Sequence, residues 1–320
     1  MHSSAPVVSI IIPCYNQAHF LPEAIESALS QRNHAIEVVV VDDGSPDNIA
    51  EVVGRYPRIV FVRQENRGLA EARNSGFRAS KGEFVLFLDA DDRLTPNAVE
   101  SHLLCFAEHP QAGFVVGDID HITLDGSYDQ SPRWLILSEN HYEELLKVNH
   151  VANNIAIMFR RSVIERIGGF NALYHPAEDY EFLLRAARLF PSAHHRSVVA
   201  CYRRYPASLS RRGAAMLRAM NQVMHLQRDT LKGDPCLLKA CRRGELYWRD
   251  YYGVVTAKEI GTCLVQGDLA QALRASGAFL RYVRGRFLVW PWTERQRLVN
   301  LLRRWLLHLR ERAESDTKQA

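Results

Sequence analysis

Two apolar runs, each ending in a cluster of acids, constrain the fold of this chain most strongly. Val38–Val41 leads directly into Asp42–Ser45 (DDGS), and Phe84–Leu88 leads into Asp89–Asp92 (DADD). Continuous runs of Val, Leu and Phe are typical of strands buried on both faces of a mostly parallel sheet, whose ligands bind beyond the carboxyl ends of the strands. Carboxylates gathered on one rim repel each other unless a cation lies among them. The sequence therefore predicts a site for a hard divalent metal that carries a phosphorylated ligand.

Strand and helix signals alternate through the first hundred residues, which is typical of a doubly wound α/β domain. Strands are predicted at 8–12, 38–41, 59–62 and 83–88, and helices at 21–31, 48–54 and 68–80. A further helix runs to Glu108, with Thr95 as its N-cap and Pro96 in its first turn. Beyond residue 112 we expect strands at 113–122, 155–159 and 198–203, helices at 161–167 and 178–189, a loop-rich stretch at 123–150, and only helices after 211.

Composition excludes several classes of protein. The net charge of +4 arises near the C-terminus, where nine arginines face two glutamates between Arg281 and Arg312, and this argues against a general nucleic-acid binder. Six scattered cysteines predict reduced thiols, with no disulfide framework or zinc site. With no basic leader and no apolar run of about 18 residues, we expect a cytoplasmic protein without a spanning helix.

Four segments in order, residues 10–16, 41–45, 66–74 and 88–92, resemble the nucleotide-binding half of the family 2 inverting glycosyltransferases. The resemblance covers roughly residues 7–210. It implies the α/β fold of the A-type glycosyltransferases, with a Rossmann-like, mostly parallel sheet flanked by helices. The helical signals after residue 211 add a helical C-terminal extension. The implied domains are a catalytic domain at 1–211, divided into a nucleotide-binding half (7–110) and an acceptor half (111–211), and a helical region at 212–320.

The resemblance also implies the residues that hold a nucleoside-diphosphate sugar. Tyr15 offers a stacking face for the base and Asp42 hydrogen-bonds it, while Asp43-Gly44 taken alone is a simple turn and Arg73 taken alone is a surface charge. The implied donor-binding residues are Pro13, Tyr15, Asn16, Asp42, Asp43, Gly44, Ser45, Asn66, Gly68, Arg73, Asn74, Asp89 and Ala90.

A metal and a catalytic base complete the implied site. Asp91 ligates Mg2+ or Mn2+, and Asp89 faces the ribose or the metal's water shell, while Asp92 supports the loop or caps the next helix. The segment Gly168–Phe170 followed by Glu178–Glu181 resembles the later motif in which an Asp after a Glu serves as base, and this places the role on Asp179. The structural alternative is that these acids only offset the helix dipole.

One position departs from the family pattern. Many relatives carry a histidine where this chain has Tyr205, so the role of that histidine is open here. Arg203, Arg204 or Arg211 could contact phosphate instead.

The C-terminal segment 295–312 combines leucines and Trp305 at helical spacing with six arginines. Such a basic amphipathic helix suits a peripheral position on an anionic membrane, here the cytoplasmic face of the inner membrane, and a lipid-linked acceptor. Packing on the catalytic domain or on a second subunit is the alternative.

These observations predict an enzyme of bacterial-type cell-surface glycan synthesis: a metal-dependent, inverting transferase that moves a sugar to a hydroxyl of a glycan or lipid-linked acceptor. A nucleotide-sugar-binding scaffold without activity is the alternative from another class. A sugar nucleotidyltransferase or a dinucleotide-dependent dehydrogenase would need a glycine-rich loop after the first strand, where this chain has Pro13–Asn16.

Overall fold

The computed structural model describes residues 8–32, 35–129, 141–149, 151, 153–205 and 212–283. These fall into two compact units. The first runs to Tyr205 apart from Leu146–Val148, and the second comprises Leu146–Val148 and the residues after 205. The predicted domain boundary at 211 lies outside the described residues and stays a prediction.

A nine-stranded sheet forms the centre of the first unit, as far as the described residues go. Its strands are β1 (Val8–Cys14), β2 (Ile36–Asp42), β3 (Val60–Arg63), β4 (Phe84–Phe87), β5 (Arg93–Leu94), β6 (Phe114–Ile122), β7 (Tyr128–Asp129), β8 (Ile157–Arg160) and β9 (Ser192–Arg203). The order is β3-β2-β1-β4-β8-β6-β9-β5, with β7 paired to β6.

The sheet changes character at β4. Strands β3, β2, β1 and β4 run parallel, whereas β8 lies antiparallel between β4 and β6, and β6 then pairs in parallel with β9. Every residue of β1 is buried, as expected for a strand covered on both faces. The parallel half therefore brings the ends of β1, β2 and β4 to one rim, while the mixed half extends the sheet beyond them.

Helices flank this sheet. They are α1 (Leu21–Leu29), α2 (Ile49–Val53), α3 (Leu69–Ala79), α4 (Ala98–Glu108), α5 (His141–Lys147), α6 (Arg161–Ile167) and α7 (Glu178–Leu189). Helix α3 packs closely on the sheet because Gly76 has no side chain: a Cβ there would lie 2.3 Å from Cγ2 of Ile11. This close approach sets the height of α3 above the strand ends.

Several predicted boundaries were wrong. Helix α4 begins at Ala98 and not at Pro96, because Thr95 continues the strand pairing: its N–H donates to Val199 O (2.9 Å) and its hydroxyl to Val198 O (2.7 Å). Strand β9 begins six residues earlier than expected, at Ser192, where it pairs with β6. Helix α5 lies within the stretch expected to be loop-rich.

The second unit is helical in its described residues, as expected. It contains α8 (Gly213–Thr230), α9 (Pro235–Gln266) and α10 (Leu269–Tyr282). Asp234 caps α9 by accepting a hydrogen bond from Leu237 N, and Asp268 caps α10 through Gln271 N. None of the helices described is long and apolar enough to cross a membrane. The predicted helix at 295–312 lies outside the described residues.

Candidate active site

The loops after β1 and β2 are joined into one cradle. Pro13 and Cys14 lie in register with Val41 and Asp42, so both loops leave the sheet together. Asn16 adopts a left-handed backbone (φ 56°), and its N–H donates to Ser45 Oγ (2.7 Å).

Asp47, which was not predicted from the sequence, links the loop after β2 to the loop after β1. One of its oxygens accepts from Ala18 N (2.8 Å) and the other from the Ser45 hydroxyl. Tyr15 is 49% exposed beside this cradle, and its stacking on a base stays a prediction.

Asp42 and Gly44 shape the β2 end of the cradle. Asp42 is buried, accepts from Ser45 N (2.8 Å) and pairs with Arg63 Nε (3.3 Å). Gly44 has a left-handed backbone (φ 68°), and a Cβ there would lie 2.7 Å from Asn66 N. Only glycine satisfies both conditions without displacing the neighbouring turn.

Asp43 holds the turn that begins α3. Its Oδ1 accepts from Gln64 Nε2 (2.8 Å) and Arg67 N (2.9 Å), and its Oδ2 accepts from Gly68 N (2.8 Å). This buried carboxylate therefore shapes the turn before α3, and its contact with a donor stays a prediction.

Arg73 is not a surface charge, because its side chain is buried and paired with carboxylates. It is 2% exposed, with Nη2 on Asp89 Oδ1 (2.8 Å) and Nη1 near Glu178 Oε1 (3.5 Å), and it lies over the Phe170 ring. Burial opposes its charge, but the carboxylates of Asp89, Glu178 and Asp179 raise its pKa overall. Arg73 thus connects the acids after β4 to the acids that begin α7.

The side chain of Asn74, the next residue on α3, is hydrogen-bonded to the backbone of Phe170. Its Oδ1 accepts from Phe170 N (2.8 Å), and its Nδ2 donates to Phe170 O (2.9 Å) and to Glu71 (3.4 Å). This geometry makes Asn74 a clamp on the segment that leads to α7, and its contact with a nucleotide stays a prediction.

The acids after β4 are crowded, and Arg73 pairs with Asp89 among them. Asp89 is partly exposed and Ala90 is buried. Burial and the Asp89 carboxylate raise the pKa of Asp91, against hydrogen bonds from Tyr205 and Gln17. Burial and both neighbouring carboxylates raise the pKa of Asp92 well above its usual range, and Asp92 Oδ2 has no hydrogen-bond partner among the described residues.

This donor set fits a divalent cation. Oxygen ligands from one or two carboxylates are what Mg2+ or Mn2+ takes from a protein when phosphates supply others. Within the ranges that the structure describes, no group of three or more His, Cys, Asp or Glu side chains could hold a metal by itself. A cation at Asp89 and Asp91 would consequently depend on the diphosphate for further ligands.

Tyr205 lies against these acids, and Arg203, two residues earlier, is buried among protein acceptors. The Tyr205 hydroxyl donates to Asp91 Oδ2 (2.7 Å) and accepts from Gln17 Nε2 (3.1 Å). Arg203 is 2% exposed: its Nε donates to Asp91 O (2.7 Å), and its Nη2 pairs with Glu23.

The expectation that Arg203 contacts phosphate is therefore wrong, because its guanidinium is enclosed by protein acceptors. Arg204 lies near Asp129 (3.5 Å), and Arg211 is outside the described residues. Asp92 supports the same loop through its contact with Arg203 N (2.7 Å), as one of its two expected roles requires.

Asp179 lies in the first turn of α7, beside the buried Glu178. Burial and then the Glu178 carboxylate raise the pKa of Asp179 to about 6, although Arg73 opposes the shift. Glu178 behaves differently, because His175 Nδ1 (3.2 Å) and Arg73 lower its pKa despite its burial. The pKa of Glu178 is thus lowered, whereas that of its neighbour Asp179 is raised to about 6, and the role of Asp179 as a base stays a prediction.

A comparison with known protein families identifies the family of this chain. The family model "Glycosyl transferase family 2" matches residues 9–168, which is half of the chain and includes the cradle, α3 and the acids after β4. The chain belongs to this family.

Known members are similar over parts of their length. An uncharacterized glycosyltransferase of Haemophilus influenzae is 31% identical over 180 residues, which cover 56% of this chain and 61% of that protein. The chondroitin synthase of Escherichia coli is 30% identical over 204 residues, 62% of this chain and 29% of the synthase. The chain thus spans about three fifths of one relative and less than a third of the other.

A solved structure extends the likeness of fold to most of the chain. The mannosyltransferase PcManGT of Pyrobaculum calidifontis, in complex with GDP-Man and Mn2+, matches 96% of this chain and 86% of its own, with a TM-score of 0.58 and 19% identity. This family 2 chain therefore has the expected A-type α/β fold, followed by a helical C-terminal region.

Proposed function

We propose that this glycosyltransferase is metal-dependent and inverting, and that it moves a sugar from a nucleoside-diphosphate sugar to a hydroxyl of an acceptor. The observation that carries the proposal is Arg73, whose buried guanidinium joins Asp89 to Glu178 beside Asp179. The Arg73 guanidinium thus lies next to Asp89, which is expected to hold the donor, and near Asp179, which is expected to activate the acceptor.

The donor would bind in the cradle between the β1 and β2 loops. Tyr15 supplies a stacking face and Asp42 an acceptor, while Asn16 and Ser45 hold the loops in place. Asp91, with Asp89, would hold Mg2+ or Mn2+, which when bound neutralises the charge on the departing diphosphate. The bound Mn2+ of the mannosyltransferase with the same fold supports this assignment.

Asp179 would act as the general base. Its carboxylate takes the proton of the acceptor hydroxyl as that oxygen bonds to the anomeric carbon, and the bond from that carbon to the phosphate oxygen breaks with its electrons going to the diphosphate. A single displacement of this kind inverts the configuration at the anomeric carbon. A pKa of about 6 leaves most Asp179 ionised at neutral pH while keeping it basic enough to accept the proton.

The acceptor is proposed to be a glycan or a lipid-linked glycan. The similarity to a chondroitin synthase supports a polysaccharide product. The nine arginines between 281 and 312 support peripheral contact with an anionic membrane or with a second subunit, and a cytoplasmic location fits both.

A donor screen tests the proposal. Purified protein with Mn2+ is incubated with a panel of nucleotide sugars, and thermal stabilisation and donor hydrolysis are recorded. We expect one donor to stabilise the protein, EDTA to remove that effect, and Asp179→Asn to abolish turnover while donor binding is nearly unchanged.

Two results would count against the proposal. Turnover that persists in Asp179→Asn would reject the base. Donor binding without turnover in the unaltered protein would favour the inactive scaffold.

A further inference from the structure

A chain of three side chains runs into the proposed metal site from outside it. Gln17 lies in the loop before α1, Tyr205 follows β9, and Asp91 follows β4. The Gln17 amide nitrogen lies 3.1 Å from the Tyr205 hydroxyl, which lies 2.7 Å from Asp91 Oδ2. Residues separated by 188 and 114 positions in the sequence therefore meet in one hydrogen-bonded line.

The direction of these hydrogen bonds follows from the groups themselves. An amide NH2 only donates and an ionised carboxylate only accepts, so the phenol accepts from Gln17 and gives its single proton to Asp91. The ring of Tyr205 also lies beside Phe20, with centroids 6.0 Å apart. Contacts on both sides of the hydroxyl leave it one orientation.

Asp91 needs such a partner more than an exposed acid would. It is partly buried next to the Asp89 carboxylate, and Arg203 contacts its backbone oxygen rather than its side chain. A hydrogen bond from a neutral donor to an ionised carboxylate is short and strong. The 2.7 Å contact therefore fixes where one oxygen of Asp91 points.

We propose that Tyr205 is a positioning residue for the metal site, holding the Asp91 carboxylate in the orientation that binds the cation, and that Gln17 positions Tyr205 in turn. This inference rests on the proposed function. The phenol does not itself ligate the metal, since its proton faces Asp91 and metal ligands must be deprotonated. Hydrogen-bond partners of metal ligands typically contribute 10- to 100-fold to metal affinity.

Metal binding, measured without turnover, tests the inference. Mn2+ is titrated into the protein saturated with UDP or GDP, whichever stabilises it more, and free Mn2+ is followed by electron paramagnetic resonance. Tyr205→Phe removes only the hydroxyl and should weaken Mn2+ binding about tenfold or more. Tyr202→Phe, the same change three residues earlier on β9, is the matched control and should stay within about twofold of the unaltered protein.

Two further variants separate positioning from a general loss of structure. Gln17→Met removes the amide that hydrogen-bonds both the Tyr205 hydroxyl and Asp91, but it keeps the phenol–Asp91 contact. It should therefore weaken Mn2+ binding less than Tyr205→Phe does. Tyr205→His returns a nitrogen that can donate to Asp91 or bind the cation, and it should recover most of the lost affinity. In steady-state assays Tyr205→Phe should raise the Mn2+ concentration at half-maximal rate while kcat at saturating Mn2+ changes little.

Asp91→Asn distinguishes failure of this inference from failure of the proposed function. If Asp91→Asn abolishes Mn2+ binding while Tyr205→Phe stays within twofold of the unaltered protein, Tyr205 does not position Asp91, but the metal site stands. If Asp91→Asn binds Mn2+ normally, the metal is held elsewhere, and both ideas are overturned.

Discussion

Asp179→Asn should make the folded protein more stable at pH 8, although it removes the proposed base. The pKa of Asp179 is about 6 in the folded protein against an ordinary value of 3.8. Ionising this carboxyl therefore costs the folded state about 3 kcal/mol, at about 1.4 kcal/mol for each pKa unit. Asparagine is uncharged and can still accept the hydrogen bond that Tyr180 N makes to Asp179 Oδ1 (2.7 Å).

The sign of the pH dependence follows from the raised pKa. Below pH 3.8 Asp179 is protonated in both folded and unfolded chains and costs nothing, whereas the penalty grows as pH rises from about 4 and is complete above about 6. The lost interaction of an acid with the first turn of α7 offsets about 0.3–1 kcal/mol. We expect the variant to be more stable by about 2 kcal/mol at pH 8 and by almost nothing at pH 4.

Urea denaturation of both proteins between pH 4 and pH 8 measures this difference. Glu181→Gln is the matched control in the same helical turn, because Glu181 is buried in a two-pronged contact with Arg185 (2.7 and 2.8 Å) and should destabilise the protein when neutralised. The reasoning fails if Asp179→Asn is less stable than the unaltered protein at pH 8, or if the difference does not shrink towards pH 4.

Three further predictions concern neighbouring features. Arg73→Met should destabilise the protein by about 3–5 kcal/mol, because it leaves buried carboxylates uncompensated. It should also move the pH midpoint of kcat/KM, which reports the free enzyme, upward from about 6; an unmoved midpoint would show that Arg73 does not act on Asp179. Gly44→Ala should cost about 1–3 kcal/mol of unfolding free energy and weaken donor binding, whereas Gly261→Ala, with open space around its Cα, should not destabilise the protein. Burial lowers the pKa of His102, which lies 3.1 Å from His195, so this histidine should cost stability as pH drops below 6.5. In urea titrations His102→Gln should therefore gain stability relative to the unaltered protein as pH falls below 6.5, and a difference that does not change with pH would contradict this.

The sequence predicted the elements whose signal is local. Buried strands such as β1 and β2 are continuous apolar runs, and the acids that follow them stand on the rim because parallel strands end together. The start of β9 was missed since residues 192–197 are mostly polar, and only pairing with β6 makes them a strand.

Roles within the site were harder to predict than its location. Arg73 was expected either at the surface or on the nucleotide, but its partner Glu178 lies 105 residues away and buries it. Asn74 meets Phe170 across 96 residues, and Tyr205 meets Asp91 across 114. The local sequence around these residues does not predict their partners, so these side-chain contacts could be identified only from the folded structure.

The clamp of Asn74 on Phe170 has a consequence for building hybrid enzymes. Adjacent residues of α3 reach across to the segment that carries the proposed base, Asn74 through the Phe170 backbone and Arg73 through Glu178. A chimera that joins the first hundred residues of this chain to the acceptor half of another family member keeps both connections only if the incoming segment places a backbone N–H and C=O opposite Asn74 and a carboxylate opposite Arg73. Exchanging acceptor preference between such enzymes should therefore require α3 and the 168–179 segment to be transplanted as a pair.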